Sequence, residues 1–318
     1  MKKILFTLLA VALLPAIAMA QCPPSSVTAT VTLQFRAPGM LDGEFSVSAT
    51  KKVNFSQGNL QYRASDGKWQ FAEHQWDYIG NATGNTTAEA SRASQTAWID
   101  LFGWATSGNP ASNVYGYMPY YIVQTGTHYG PGFNTDAQWT PENSDWGTVN
   151  AVQLGHGWHT LSKDEWKYLL GVDGTICRTN AVNLRTLATV HGVPGLLLLP
   201  DDWTPENSRI SKALTQNYLT NYTTNNISDA DWTILEFEGA VFLPAAGYRA
   251  GNTVSNSGSW GMYWTSTSCH SVGGYNNQTQ YAYPMRFNAG IAYYSMTQTD
   301  LNNVKAYRYY GLAVRLVK

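Results

Sequence analysis

The chain has 318 residues, 13% of them charged and 13% aromatic, with 20 Lys and Arg against 21 Asp and Glu. This excludes a disordered chain, which is charge-rich and aromatic-poor, and leaves no basic excess for a nucleic-acid partner. The length suits one large domain or two ordinary ones.

Lys2 and Lys3 precede an apolar run from Ile4 to Ala20 that ends in Ala18-Met19-Ala20. Charged start, apolar run and small-x-small end predict a secretory signal peptide over 1–20. The run is short for a membrane span and contains Pro15, so no transmembrane segment is expected after cleavage. Export places the chain in the periplasm, on the outer surface or outside the cell. Lipid attachment at Cys22 is the alternative, disfavoured because Gln21 is not a small residue. Cleavage leaves 18 basic and 21 acidic residues and all three cysteines, Cys22, Cys177 and Cys269. Three single pairings are open, Cys177–Cys269 among them.

Residues 21–43 read as a leader or linker with one alternating stretch, Val27 to Phe35. From Glu44, short apolar runs around Phe45, Val47, Val53, Phe55, Leu60 and Tyr62 are split by Ser56-Gln57-Gly58-Asn59, which predicts a hairpin that Lys68–Phe71 continues. Residues 80–145 are rich in Gly, Asn, Thr, Ser and Tyr with little periodicity. They read as a loop-rich insertion. A helix is predicted over Leu161–Leu170, where Ser162 and Glu165 form a capping box and Gly171 stops it. A second is predicted over Ser228–Glu238, started by Ser228 and stopped by Gly239. Trp139–Ser144 and Trp203–Ser208 repeat the sequence Trp-Thr-Pro-Glu-Asn-Ser, in which Thr caps and Pro begins a helical turn. They are expected to form similar local turns. Short apolar runs after Gly239 include Val241–Leu243, Met262–Trp264 and Leu312–Val317. In the last, Val314 and Leu316 alternate with Arg315 as in a half-buried strand. The architecture expected is α+β: short antiparallel strands, two main helices and long irregular loops.

In chain order the sequence carries Trp158–Trp166 (W-H-T-L-S-K-D-E-W), Leu199–Trp203 (L-P-D-D-W), Phe242–Arg249 (F-L-P-A-A-G-Y-R), Gly261–Thr267 (G-M-Y-W-T-S-T) and Gly311–Val317 (G-L-A-V-R-L-V). With Val53–Tyr62 (V-N-F-S-Q-G-N-L-Q-Y), this ordered set resembles the Fibrobacter succinogenes major paralogous domain type, common in secreted Bacteroidetes proteins. That group is similar to the formylglycine-generating (sulfatase-modifying factor) branch of the C-type-lectin-like fold. The resemblance covers residues 44–318. It implies paired N- and C-terminal strands, two helices and an irregular loop region that presents a binding face. His159 departs from the pattern, which has an Arg there to anchor a buried carboxylate.

The formylglycine-generating branch uses two thiols in its C-terminal region, where this chain has only Cys269. There is no G-x-S-x-G, H-E-x-x-H or P-loop. His156 and His159 lack a third ligand at diagnostic spacing, so zinc is not expected. Asp201 and Asp202 read as a turn before Trp203, and Asp145 as a turn before Trp146. The calcium-lectin tripeptides Glu-Pro-Asn, Gln-Pro-Asp and Trp-Asn-Asp are absent. No enzyme activity, metal or cofactor is expected.

Residues 248–310 hold 10 of the 20 Tyr and 7 Asn, with five charged residues: Arg249, Arg286, Asp300, Lys305 and Arg308. Tyr supplies a rigid contact surface with a hydroxyl, and Asn, Ser and Gly supply adaptable hydrogen bonds, as in antibody paratopes. Trp260, Tyr263, Tyr275, Asn276, Asn277, Tyr281 and Tyr283 are the candidate ligand-binding residues, because small or polar residues surround them. Trp264 and Phe287 are assigned to the core. The composition favours binding without charge and leaves a glycan and a cell-surface protein both open as targets. The Asn/Tyr enrichment also fits a face diversified by a retroelement. The competing readings are a thiol oxidase of the formylglycine-generating type and a structural or adhesin component of the cell envelope.

Overall fold

The computed structural model describes residues 39–86, 93–112, 117–120, 140–172, 176–269, 281–289 and 305–318. The folded unit is already under way at Met40, which bridges to Ser56, while the Leu41 amide donates to the Phe55 carbonyl.

Strands β1 (Phe45–Ser46) and β2 (Lys52–Val53) form one hairpin. β3 (Leu60–Arg63) and β4 (Lys68–Phe71) form another. The single hairpin expected from the sequence is thus two, and Ser56–Asn59 joins them instead of turning one. After a helical turn α1 (Thr83–Thr86), β5 (Trp98–Ile99) joins the free edge of β3. Ile99, Leu101, Phe102 and Trp104 are all buried. Part of the stretch expected to be a loop-rich insertion is thus core, supplied by single apolar residues too sparse for a periodicity to show. Three one-turn helices follow, α2 (Pro141–Ser144), α3 (Trp146–Val149) and α4 (Ala151–Leu154), then β6 (His159–Thr160).

Helix α5 (Lys163–Leu170) has the predicted capping box, with both Ser162 and Glu165 bonds present, and ends at Gly171 in the left-handed conformation. It buries Trp166, Leu169 and Leu170. β7 (Arg185–Val190) and β8 (Val193–Leu198) are joined by His191-Gly192, both with positive φ, as a two-residue hairpin turn requires. β9 (Asn226–Ile227) pairs parallel to β7. Helix α6 (Asp229–Phe237) starts with the Asp231 amide bonded to the Ser228 hydroxyl, as predicted. β10 (Val241–Pro244) completes a four-stranded sheet of order β10-β8-β7-β9. β11 (Tyr248–Ala250) and β12 (Thr253–Ser255) form a hairpin. β13 (Trp260–Ser268), β14 (Tyr281–Asn288) and β15 (Ala306–Tyr307) form a three-stranded sheet, and β16 (Leu316–Val317) pairs with β6. The result is α+β, mostly small antiparallel sheets with few helices. No helix among the described residues is long and apolar enough to cross a membrane.

Three apolar clusters fill the interior, and strand alternation divides side chains between them. On β8 and β10, Leu196, Leu198, Val241 and Leu243 face the central cluster under α5, while Leu197 and Phe242 face the cluster under α6. On β13 and β14, Tyr263, Met285 and Phe287 face the central cluster, while Met262, Trp264 and Ala282 face a Trp-rich cluster with Trp69, Trp104, Trp146 and Trp158. The C-terminal segment runs between these two, with Leu312, Val314 and Leu316 on one side and Ala313 and Val317 on the other.

That placement corrects the reading of Arg315. Both faces of its strand are covered, so the side chain is 1% exposed and not turned to solvent. Its guanidinium donates to Gln75 Oε1 at 3.0 Å and to Asn59 Oδ1 at 3.5 Å. Burial pulls its pKa down to about 10.

The β13–β14 packing depends on Gly261. A Cβ there would stand 2.0 Å from the Phe287 ring. Gly261→Ala is expected to destabilise by about 3 kcal/mol, the upper range for overpacking a core. Ser162→Ala is expected to cost only about 1 kcal/mol, the value of one helix cap. Urea unfolding of both variants checks the ranking.

Candidate ligand-binding face

The face is built on β14 and what packs beside it. Between Trp264 and Ser268 the β13–β14 register shifts, so β13 carries a bulge. The Thr265 hydroxyl donates to the Tyr283 carbonyl at 2.6 Å across it. Beyond the bulge, Tyr281 and Tyr283 are half-buried, while Ala282 between them is buried. β15 then places Tyr307 directly opposite Tyr281, with ring centroids 4.5 Å apart. The chain turns back at once, the Tyr310 amide donating to the Tyr307 carbonyl. Tyr309 and Tyr310 thereby return against Tyr307, at 4.9 and 5.5 Å. Tyr310 meets Tyr248 of β11 at 5.2 Å, and Tyr248 meets Trp260 at 6.4 Å.

Six half-buried aromatic residues therefore form one continuous belt: Trp260, Tyr248, Tyr310, Tyr309, Tyr307 and Tyr281. At the Trp260 end the Arg286 guanidinium lies 3.8 Å from the indole centroid, a cation–π contact between diagonal neighbours on the paired strands. Burial raises the pKa of Tyr281, and the hydrogen bond and charge of Tyr307 raise it further. Tyr310 is raised by burial and by Tyr248 and Tyr307. At neutral pH these phenols are hydroxyl donors and acceptors carrying no charge.

Of the predicted site residues, Trp260 and Tyr281 are brought together in the belt. Tyr283 is half-buried elsewhere, with Lys163 Nζ 4.3 Å from its ring and Cys269 Sγ 3.6 Å from its hydroxyl. Burial and then Cys269 push its pKa up to about 12. Tyr263 is a correction. It is 0% exposed, because odd-numbered β13 residues face the central cluster, and its hydroxyl donates to the Pro244 carbonyl at 2.8 Å. Tyr275, Asn276 and Asn277 lie outside the described residues. Tyr248, Tyr307, Tyr309, Tyr310 and Arg286 were not singled out from the sequence. The run Tyr307-Arg308-Tyr309-Tyr310 held the signal: three Tyr across a tight turn must crowd.

The other candidates have structural roles. Asp145 caps α3, accepting from the Gly147 and Thr148 amides, and also takes the Thr160 amide. The two Trp-Thr-Pro-Glu-Asn-Ser copies share their turn: Thr140 Oγ1 accepts from Asn143 N, and Thr204 Oγ1 from Asn207 N. Trp139 lies outside the described residues. His159 Nε2 is 3.1 Å from Lys51 Nζ, and Lys51 reaches Glu165 at 2.7 Å. The cation beside this carboxylate is thus Lys51. Cys177 is exposed and Cys269 is buried, and no disulfide joins the two. Among the described residues, no three His, Cys, Asp or Glu side chains are arranged to hold a metal.

A cleft of about 410 Å³ lies apart from the belt, lined by Asp42, Gly43, Glu44, Lys52, Asp201, Asp202, Phe237, Glu238 and Gly239. Phe237 at its edge is 80% exposed. Asp201 sits in the predicted turn and accepts from the Ser46 amide and hydroxyl and from Arg178 Nη1. Burial works to raise its pKa, but these hydrogen bonds outweigh it and hold the carboxyl below the usual range. A lowered carboxylate stabilises the fold above its unfolded value of about 3.9 and loses that contribution as pH falls through its folded value. Asp201→Asn is therefore expected to lower stability at pH 7. The gap from the parent should narrow below about pH 4, as read from denaturant midpoints across pH.

Residues 204–317 match a family described as a domain of unknown function (DUF8237). The match contains every belt residue and the C-terminal segment, but not the N-terminal strands with which that segment pairs. No curated protein and no solved structure matches the chain.

Proposed function

We propose that the chain is an exported, non-catalytic ligand-binding protein that presents its Tyr/Asn-rich face to a glycan or a cell-surface protein. The fold proposed is C-type-lectin-like, of the Fibrobacter major paralogous type. The observation that carries the reading is the belt of six contacting, half-buried aromatic residues. Rings held against one another lose little side-chain entropy on binding, so they make efficient contact surface. Their uncharged hydroxyls add hydrogen bonds. The segments joining β13 to β14 and β14 to β15 contribute Asn276, Asn277, Asn302 and Asn303 to the same part of the sequence. The paired terminal strands also support the fold reading: Phe55 bridges Val317, and Asn54 exchanges both backbone bonds with Lys318.

The test is a glycan-array and surface-protein screen of Gln21–Lys318, run with calcium and with chelator. Calcium-independent binding is expected. Tyr281→Ala, Tyr307→Ala and Tyr309→Ala should each weaken it about ten- to a hundredfold, as truncation of an aromatic hot spot does. Binding unchanged in all three variants overturns the reading.

A further inference from the structure

Of the belt contacts described above, the one between Tyr281 and Tyr307 is the shortest. The two are register partners on β14 and β15, so their side chains leave the sheet on the same face, directly opposite each other. Their ring centroids are 4.5 Å apart and their planes are inclined at 32°. A hydrogen bond joins the two side chains, each of which has the phenol hydroxyl as its one polar group. That bond sets the hydroxyl ends of the rings together, and with them the carbons ortho to each hydroxyl. Tyr310, by contrast, meets Tyr307 and Tyr309 edge to face, at 74° and 84°.

The pair stands where the backbone hold is slight. β15 is two residues long, and its described pairing with β14 consists of Tyr281 with Tyr307 and Ala282 with Ala306. Both rings are half-buried, so neither is sealed from small molecules by the described residues. They also end a run of aromatic contacts 4.5–6.4 Å apart, along which an electron vacancy made on another ring has a path to them. A phenol that loses an electron and its hydroxyl proton carries the unpaired electron in part on its ortho carbons. Two such carbons held side by side are placed to join, because positioning replaces an encounter between free groups.

From this we propose that Tyr281 and Tyr307 are an oxidative modification site, at which hydrogen peroxide acting through a haem peroxidase joins the two rings and staples β15 to β14. Each ring gives one electron to the peroxidase and its hydroxyl proton to solvent. The two phenoxyl radicals pair their electrons in a new carbon–carbon bond between ortho carbons. The hydrogen on each of those carbons then moves as a proton to the ring oxygen, which restores the aromatic ring and the hydroxyl. The chain loses two hydrogen atoms, and one peroxide takes up the two protons and two electrons to become two waters. The bond closes the loop between residues 281 and 307 in the unfolded chain and so lowers that chain's entropy, as a disulfide does. The inference does not use the reading of the belt as a binding face.

The experiment oxidises dilute Gln21–Lys318 with a haem peroxidase and one equivalent of hydrogen peroxide. The monomer is expected to lose the mass of two hydrogen atoms and to gain the blue fluorescence of a biphenol. Digestion should release a cross-linked peptide that contains Tyr281 and Tyr307. Tyr281→Phe and Tyr307→Phe, which keep the ring and remove the hydroxyl, should each eliminate that peptide. Its yield should also fall by more than about tenfold when the parent is oxidised in urea, where the two rings are no longer positioned. This arm holds even if a Phe variant fails to fold. The denaturant midpoint should rise on oxidation of the parent and stay unchanged on the same treatment of Tyr307→Phe. Cross-links formed mainly between molecules overturn the inference, as does a yield in urea equal to that of the folded chain. So does the absence of the Tyr281–Tyr307 peptide from chains that have consumed the peroxide. The belt as a ligand face is decided separately, by the binding screen.

Discussion

The C-terminal segment from Gly311 to Lys318 holds the rest of the molecule together, because its backbone is shared among five other parts of the chain. Gly311 pairs with Arg249, Leu312 with Phe102, and Ala313 with Met262 and Trp264. The Val314 carbonyl takes the Leu60 amide, the Leu316 carbonyl takes the Ser56 amide, and β16 also pairs with β6. Buried backbone groups must be paired. With apolar cover on both sides, these eight residues can meet that demand only if all five segments are already in place. The backbone pairing of the chain end and the placement of these five segments therefore depend on one another.

The same constraint explains the polar residues of the interior. Arg315 sits where a strand covered on both faces is expected to be apolar, and its partners come from far off in sequence. Gln75 accepts from Arg315 and from the Phe242 amide, and donates to Glu236 and the Ala240 carbonyl. One amide side chain thus ties the tail, β10 and the end of α6 together. A buried charge of this kind costs desolvation and adds little net stability, but removing one partner strands the others. Its effect is to specify which segments meet.

The belt depends on the tail in turn. Gly311 anchors to Arg249 in β11, immediately after the Tyr307–Tyr310 turn and beside Tyr248. This one backbone pairing sets Tyr310 against Tyr248 and so joins the rings of β11 to those of β14 and β15. The binding face is an outward consequence of how the chain end is locked inward.

What was legible in the sequence was local. The capping box at Ser162 and Glu165, the start at Ser228, the stops at Gly171 and Gly239 and the turn shared by two hexapeptides all depend on residues within one helical turn, and all formed as read. The concentration of Tyr after residue 248 was equally visible. Alternation alone could not say which side of a strand meets solvent, because that depends on what else packs there. Tyr263 and Trp260 lie on the same strand among similar neighbours, yet one is core and the other belongs to the belt, since odd positions face the central cluster. Arg315 reads as a solvent-facing residue until a second cluster covers it. The sequence by itself determined the helices, the turns and the aromatic, charge-poor character of the last third. The tertiary structure decided which of those aromatics meet, which are buried, and where Arg286 stands among them, because each of these is a contact between strands far apart in the chain.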